Sequence, residues 1–253
     1  MKKILAGGLL LCGLLSTGWV YGHDHVAIAQ RNIPAVVQVN VLDAKGGTFS
    51  GTGFVVAPNG LIVTSRHVSE QAVYTNITFS NGATSGEAVL LAQDPKLDLA
   101  FLKIEAHHLP YVTLSKNEDV LVGQTITVIG NPRRLQNTVT SGIISQLRKQ
   151  PDGTLWHQIS APISPSSSGS PVFDDKGEVI CVAFASIAGE GNQNLNFAIP
   201  VRYVRALAEA NEISLPDQTT APKQHPFLRH IQKSWQISRR LFRQWFTGNK
   251  VEN

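Results

Sequence analysis

The sequence predicts an all-β fold, and three observations predict it. Short runs rich in Val, Ile, Thr and Phe recur along most of the chain. Gly, Asn, Asp and Pro clusters separate them, and no long segment of 3.6-residue period interrupts them before Val201. About 190 residues of such strands are too many for one small barrel, so two barrels in sequence suit the length.

Composition agrees with that class. The 253 residues are 42% hydrophobic and 16% charged, which excludes a collagen-like repeat, a disulfide-dense scaffold and a wholly disordered chain. The formal charge of +4 is unevenly spread. Residues 1–22 carry +2, residues 23–220 carry −4 and residues 221–253 carry +6. The mildly acidic middle is a poor partner for phosphate backbones, so nucleic-acid binding is not expected.

Met1-Lys2-Lys3 is a short positive region, and Ile4 to Leu15 is an apolar stretch. Val20 and Gly22 are small enough for the −3 and −1 positions of a cleavage site before His23. Residues 1–22 therefore read as a secretory signal peptide, with an uncleaved anchor over Ile4 to Tyr21 as the alternative. Leu11 is too bulky for lipoprotein processing at Cys12. Cys181 is then alone in the mature chain, within the apolar run Val179 to Phe184, and reads as a core residue.

The strands expected in order are Val36 to Leu42, Phe54 to Ala57, Leu61 to Thr64, Ala88 to Leu91 and Leu99 to Ile104. Ile126 to Ile129, Val139 to Ile144, Glu178 to Ala185 and Leu195 to Ile199 follow. Turns are expected at Pro58-Asn59-Gly60, Asn81-Gly82, Pro151-Asp152-Gly153 and Asp174 to Gly177. A helix over Val201 to Ile213 closes the body.

Three motifs carry chemistry. Gly51-Thr52-Gly53-Phe54 opens a hairpin whose second strand ends at His67. Asp94 to Ile104 places Asp98 just before an apolar strand. Ser164-Pro165-Ser166-Ser167-Ser168-Gly169-Ser170-Pro171 is a polar turn. Each alone has a bland explanation: a turn histidine, a strand-edge acid, a solvated loop. In this order they form His…Asp…Ser, the arrangement in which an imidazole activates a weak hydroxyl nucleophile and a carboxylate fixes the imidazole.

These segments resemble the HtrA/Deg family of exported serine proteases over roughly residues 30–205, a match that includes Gly130-Asn131-Pro132, Thr138 to Ile144 and Asn196 to Pro200. The resemblance implies a chymotrypsin-like double β-barrel with a short closing helix. It also implies that His67 is the general base, Asp98 its orienting acid and Ser168 the nucleophile. Asp94 is the competing carboxylate, matching a position upstream of the family's catalytic acid. Backbone N–H groups of Ser166 and Ser168 would form the oxyanion hole. Ser166 stands where the family has glycine, Ser167 where it has asparagine, and Ser65 and Arg66 replace small or amide residues. A side chain at position 166 makes positive φ costlier, so a catalytically weak pseudoprotease is the alternative.

No charge precedes the nucleophile in Ser160 to Pro165, so a small or medium apolar P1 residue is expected, with Ile163 and Asn196 as pocket residues. The resemblance further implies unfolded or damaged polypeptides as substrates, no cofactor or metal, a periplasmic location and a homotrimer.

The domain division is 1–22 signal, 23–213 protease, 214–226 linker and 227–253 a basic tail, with no PDZ domain. Drawn as a helix, the tail puts Leu228, Ile231, Trp235, Phe242, Trp245 and Phe246 on one side. Arg229, Lys233, Arg240 and Arg243 gather on the other, with Arg239 at the border. Such a separate basic amphipathic helix suits an anionic membrane surface, or docking on the barrel or another subunit. His23-Asp24-His25, His107-His108 and the sequon Asn76-Ile77-Thr78 carry no expected role.

Overall fold

The computed structural model describes residues 24–131, 135, 137–186 and 195–216. Residues 1–22, expected to be a signal peptide, and the basic tail 227–253 lie outside the described residues. Among those described, no helix is long and apolar enough to cross a membrane.

The chain opens with helix α1 (His25–Asn32), capped by Asp24, whose Oδ1 accepts from Ala27 N at 3.0 Å. A 3-10 turn, Ile33–Ala35, leads into β1 (Val36–Asp43). Then come β2 (Thr48–Ala57), β3 (Leu61–Ser65), the helical turn α2 (Arg66–Ser69), β4 (Ala72–Thr78), β5 (Thr84–Glu87), β6 (Val89–Asp94) and β7 (Leu99–Lys103). These seven strands form one antiparallel sheet in the order β5-β4-β1-β2-β3-β7-β6. Its ends approach through Ala88, whose N–H donates to Thr75 O at 2.7 Å.

The second half holds β8 (Thr125–Gly130), β9 (Thr138–Lys149), β10 (Leu155–Ile159), β11 (Ser170–Phe173), β12 (Val179–Ser186) and β13 (Asn196–Pro200). They close into a six-stranded barrel in the order β10-β13-β12-β11-β8-β9. Closure pairs every strand on both sides and leaves no open edge.

Two cores follow. Phe54, Ile62, Ile77, Phe101 and Leu102 fill the first, and Ile126, Ile144, Ile159, Val172 and Cys181 fill the second. A buried Leu, Ile or Phe contributes about 1.5–3 kcal/mol. Every residue of β3, and of β2 from Gly51 on, is buried, rather than every second one. Their inner face meets the first core, while β1, β2 and β3 touch β8, β11 and β12 of the second barrel. The site forms along that seam.

The Pro58-Asn59-Gly60 turn is as expected. Gly60 has φ +91 and its N–H donates to Ala57 O at 3.2 Å, while a Cβ there would strike the Ile104 carbonyl. The closing helix is α3 (Val201–Ala210), ending three residues earlier than expected. Its buried residues Val201, Val204, Leu207 and Ala208 hold the helix to β6, β12 and β13. Arg205 adds a bond to Leu114 O at 3.2 Å.

Several expectations need correcting. His67 does not end a strand: β3 stops at Ser65 and His67 sits in α2. The sequence pattern predicts none of α1, α2, β4, β5, β10 and β11. Helix α1 lies against the second barrel, with His25 Nδ1 bonded to Thr127 Oγ1 at 2.8 Å and Arg31 donating to Lys176 O.

Candidate active site

His67 is placed by the step from β3 into α2. Arg66 N–H donates to Asp98 O at 3.0 Å and His67 N–H to Asp98 Oδ1 at 2.9 Å. His67 Nδ1 lies 2.6 Å from Asp98 Oδ2. An ionised carboxylate only accepts, so Nδ1 carries the proton and Nε2 keeps its lone pair. Asp98 reaches both groups from φ +54, a left-handed turn that aspartate tolerates better than most side chains. The competing acid is engaged elsewhere: Asp94 Oδ1 accepts from Lys96 N at 2.8 Å and Leu97 N at 3.0 Å. The hydrogen bond to Asp98 raises the His67 pKa above its ordinary 6.5, burial opposes it, and the charges of Asp98 and then Glu70 add to it. Arg66 turns to Glu70, with its Nη2 2.5 Å from the carboxylate.

The second half of the site is the loop before β11. Ser167 N–H donates to Ser164 O at 2.9 Å, Ser170 N–H to Ser167 O at 3.0 Å and Gly169 N–H to Ala183 O at 2.7 Å. Ser168, between these anchors, precedes Gly169 at φ +88, where any Cβ would run into the Thr52 carbonyl. Ser166 takes φ +73 although it is not glycine. A left-handed non-glycine residue costs roughly 1–3 kcal/mol, which the surrounding bonds must offset. The N–H groups of Ser166 and Ser168 have no acceptor among the described residues. Ser168 Oγ donates to Phe184 O at 3.4 Å, a long contact, and makes no hydrogen bond to His67.

Thr52 and Asn131, which lie within the Gly51–Phe54 and Gly130–Pro132 segments, both reach this loop. Thr52 Oγ1 donates to Ser166 O at 2.8 Å and accepts from Asn131 N at 2.9 Å. Nothing about a lone threonine or asparagine announces that contact; it depends on two barrels meeting.

The expected pocket residues are placed differently from each other. Ile163 is half-buried against the second core. Asn196 is buried, and its amide donates to Ala161 O at 2.7 Å. A cavity of about 80 Å³ beside the loop is lined instead by Gly130, Thr138, Thr140, Pro162, Ser167 and Ser170, among others. Trp235, Phe242, Trp245, Arg239, Arg240 and Arg243 lie outside the described residues.

Deeper in the second barrel, burial pushes the Cys181 thiol well up and holds it protonated. Its Sγ sits 3.0 Å from Nδ1 of the buried His157, whose pKa falls to about 4 through burial and then the Arg202 charge. Among the described residues, no group of three or more His, Cys, Asp or Glu side chains is arranged to hold a metal ion.

Comparison with known proteins agrees with this architecture. The family model for the trypsin-like peptidase domain matches residues 51–182, just over half of the chain. The chain is 39% identical over 155 residues to a Chlamydia pneumoniae protein named "Probable periplasmic serine endoprotease DegP-like", covering 59% of this chain and 32% of that one. It is 32% identical over 230 residues to human "Serine protease HTRA4", covering 85% and 47%. The chain thus spans about a third to a half of the length of these curated relatives. A serine endoprotease from Yersinia pestis superposes with TM-score 0.67 at 30% identity, over 75% of this chain and 67% of that chain. The HtrA-type protease AlgW with tripeptide gives 0.69 at 28%, over 74% and 63%. A double β-barrel, a histidine–aspartate pair on one barrel, a serine loop on the other and HtrA/DegP relatives place this chain in the trypsin-like peptidase family.

Proposed function

We propose that the chain is an exported serine endopeptidase that cleaves unfolded or damaged polypeptides through an acyl-enzyme on Ser168. The observation that carries the reading is the 2.6 Å bond between His67 Nδ1 and Asp98, which leaves Nε2 free to accept a proton beside a serine loop with unclaimed N–H groups. His67 takes the Ser168 proton as Oγ attacks the scissile carbonyl. The N–H groups of Ser166 and Ser168 receive the developing oxyanion. His67 then protonates the departing amine. A water molecule, deprotonated by the same imidazole, releases the acyl group and restores the serine.

Family resemblance supports polypeptide substrates and a homotrimer, and needs no cofactor. The charge-free approach to Ser168 favours an apolar P1 residue. The residue 1–22 pattern, together with the name of the chlamydial relative, supports a periplasmic location. The basic aromatic tail supports membrane association, for which truncation of residues 227–253 abolishes salt-sensitive binding to anionic vesicles; unchanged binding removes the idea.

The reading is tested by hydrolysis of dye-labelled casein by wild type and Ser168→Ala. Loss of roughly 10⁴-fold or more in kcat for the variant is expected. No hydrolysis by wild type, or equal hydrolysis by both, contradicts it. A second reading, an idle binding module, draws on the Ser168 hydroxyl pointing at Phe184 O rather than His67. That module binds casein without cutting it.

A further inference from the structure

Thr52 uses all of its polar atoms at the seam between the barrels. Its N–H donates to Ser168 O at 2.9 Å, and its hydroxyl donates to Ser166 O at 2.8 Å. Those are the carbonyls of the same two residues whose N–H groups face no acceptor among the described residues. The hydroxyl has only one proton, and its direction is forced: Asn131 N–H donates to Oγ1 at 2.9 Å, so the proton must go to Ser166. Asn131 is itself locked, with Nδ2 donating to Val37 O at 2.9 Å and Oδ1 accepting from Asn137 N at 3.0 Å. Thr64 Oγ1 holds the Thr52 carbonyl at 2.7 Å. Thr52 is fully buried and Asn131 nearly so.

We propose that Thr52 is a positioning residue for acylation, a two-pronged clamp that holds residues 166 and 168 by their carbonyls and so fixes the turn that carries their N–H groups. The proposal rests on the serine-peptidase reading of the site. The clamp matters here because position 166 carries a side chain. Glycine takes φ +73 without penalty, whereas serine needs an external hold to stay there. Ser50 Oγ, 3.5 Å from Ser166 Oγ, is a much weaker hold than the Thr52 bond. The hold also spans the molecule, since Thr52 belongs to β2 of the first barrel while Asn131 and Ser166 belong to the second half. Registry between the barrels is thereby transmitted to the oxyanion donors.

The test uses the full chain as wild type, Thr52→Val, Thr52→Ala, Thr52→Ser and Ser168→Ala. It reads kcat and KM on dye-labelled casein and the rate of labelling by a fluorophosphonate. Valine keeps the shape and removes the hydroxyl. Thr52→Val is expected to lower kcat and the labelling rate about 10- to 100-fold, less than outright loss of an oxyanion donor, with KM within about twofold. Thr52→Ser restores both to within about threefold, because the hydroxyl returns without the methyl. In a Ser166→Gly background the Thr52→Val loss shrinks several-fold, since glycine takes the left-handed turn without being held. Wild-type kcat in Thr52→Val overturns the proposal. So does an equal loss in Thr52→Val and Thr52→Ser, which would assign the effect to packing. If Thr52→Val lacks the wild-type melting transition, Thr52→Ala decides on the same criteria. Absence of labelling in wild type counts against the peptidase reading itself; labelling on Ser168 with no effect at Thr52 counts against the clamp alone.

Discussion

The two halves of the site are built by different means. The base half is local: Arg66, His67 and Asp98 are joined by three bonds at the end of β3 and the start of β7, strands that pair directly, Ser65 facing Leu99. The nucleophile half is a loop with two left-handed residues, Ser166 and Gly169, and its anchors come from both barrels. The base half therefore stands on sheet pairing within one barrel, whereas the nucleophile half stands on the seam. The proposed mechanism needs both, so disturbing the histidine half is expected to cost proton transfer and disturbing the seam to cost oxyanion binding.

The largest effect that separates the halves is expected from Asp98→Asn. The amide that replaces Oδ2 can donate to Nδ1, which reverses the tautomer and moves the proton to Nε2, where it blocks the transfer. A loss of about 10³- to 10⁴-fold in kcat at neutral pH is expected, with the melting temperature nearly unchanged. Steady-state kinetics and a thermal scan check it; a loss below tenfold shows that Asp98 does not orient the base.

A smaller effect is expected from the second barrel. His157 is buried against Cys181 with its pKa near 4, held there by burial and the Arg202 charge. The unfolded chain binds that proton near pH 6.5, the folded chain only near pH 4, so stability present above 6.5 is lost as pH falls between them. The loss approaches about 3 kcal/mol by pH 4. Urea unfolding of His157→Gln should show a shallower acid decline than wild type while the casein activity at neutral pH persists. Parallel declines in the two proteins contradict this account.

The strand pattern was legible where apolar residues alternate or cluster. Val36 to Leu42, Leu99 to Ile104 and Glu178 to Ala185 all correspond to strands within two residues at either end. The missed elements have specific reasons. Strand β11 is four residues long and contains Pro171, which argues against a central strand. In β10 the buried position His157 breaks the apolar pattern. In β4 the exposed Val73 and Tyr74 and the buried Thr75 invert the usual alternation. Helix α1 has its N-cap signal in Asp24, but only eight residues of mixed polarity follow, too short for the 3.6-residue period to stand out.

Within the candidate site, the pairing of His67 with Asp98 at 2.6 Å was legible in the order of the motifs, whereas Ser168 Oγ bonds Phe184 O and not His67. Ser166 is a steric departure at the sequence level, and the structure holds it at φ +73 with its carbonyl bonded to Thr52. That compensation could not be read, because Thr52 and Ser166 are 114 residues apart and meet only across the seam.

The most direct measurement is the rate at which a fluorophosphonate labels the intact chain between about pH 5 and pH 9, with the adduct located by peptide mass mapping. The account predicts an adduct on Ser168 and a rate that falls as His67 gains a proton, with the acid limb on the alkaline side of the ordinary 6.5. An adduct on Ser166 or Ser167, no adduct, or a rate independent of pH would contradict it.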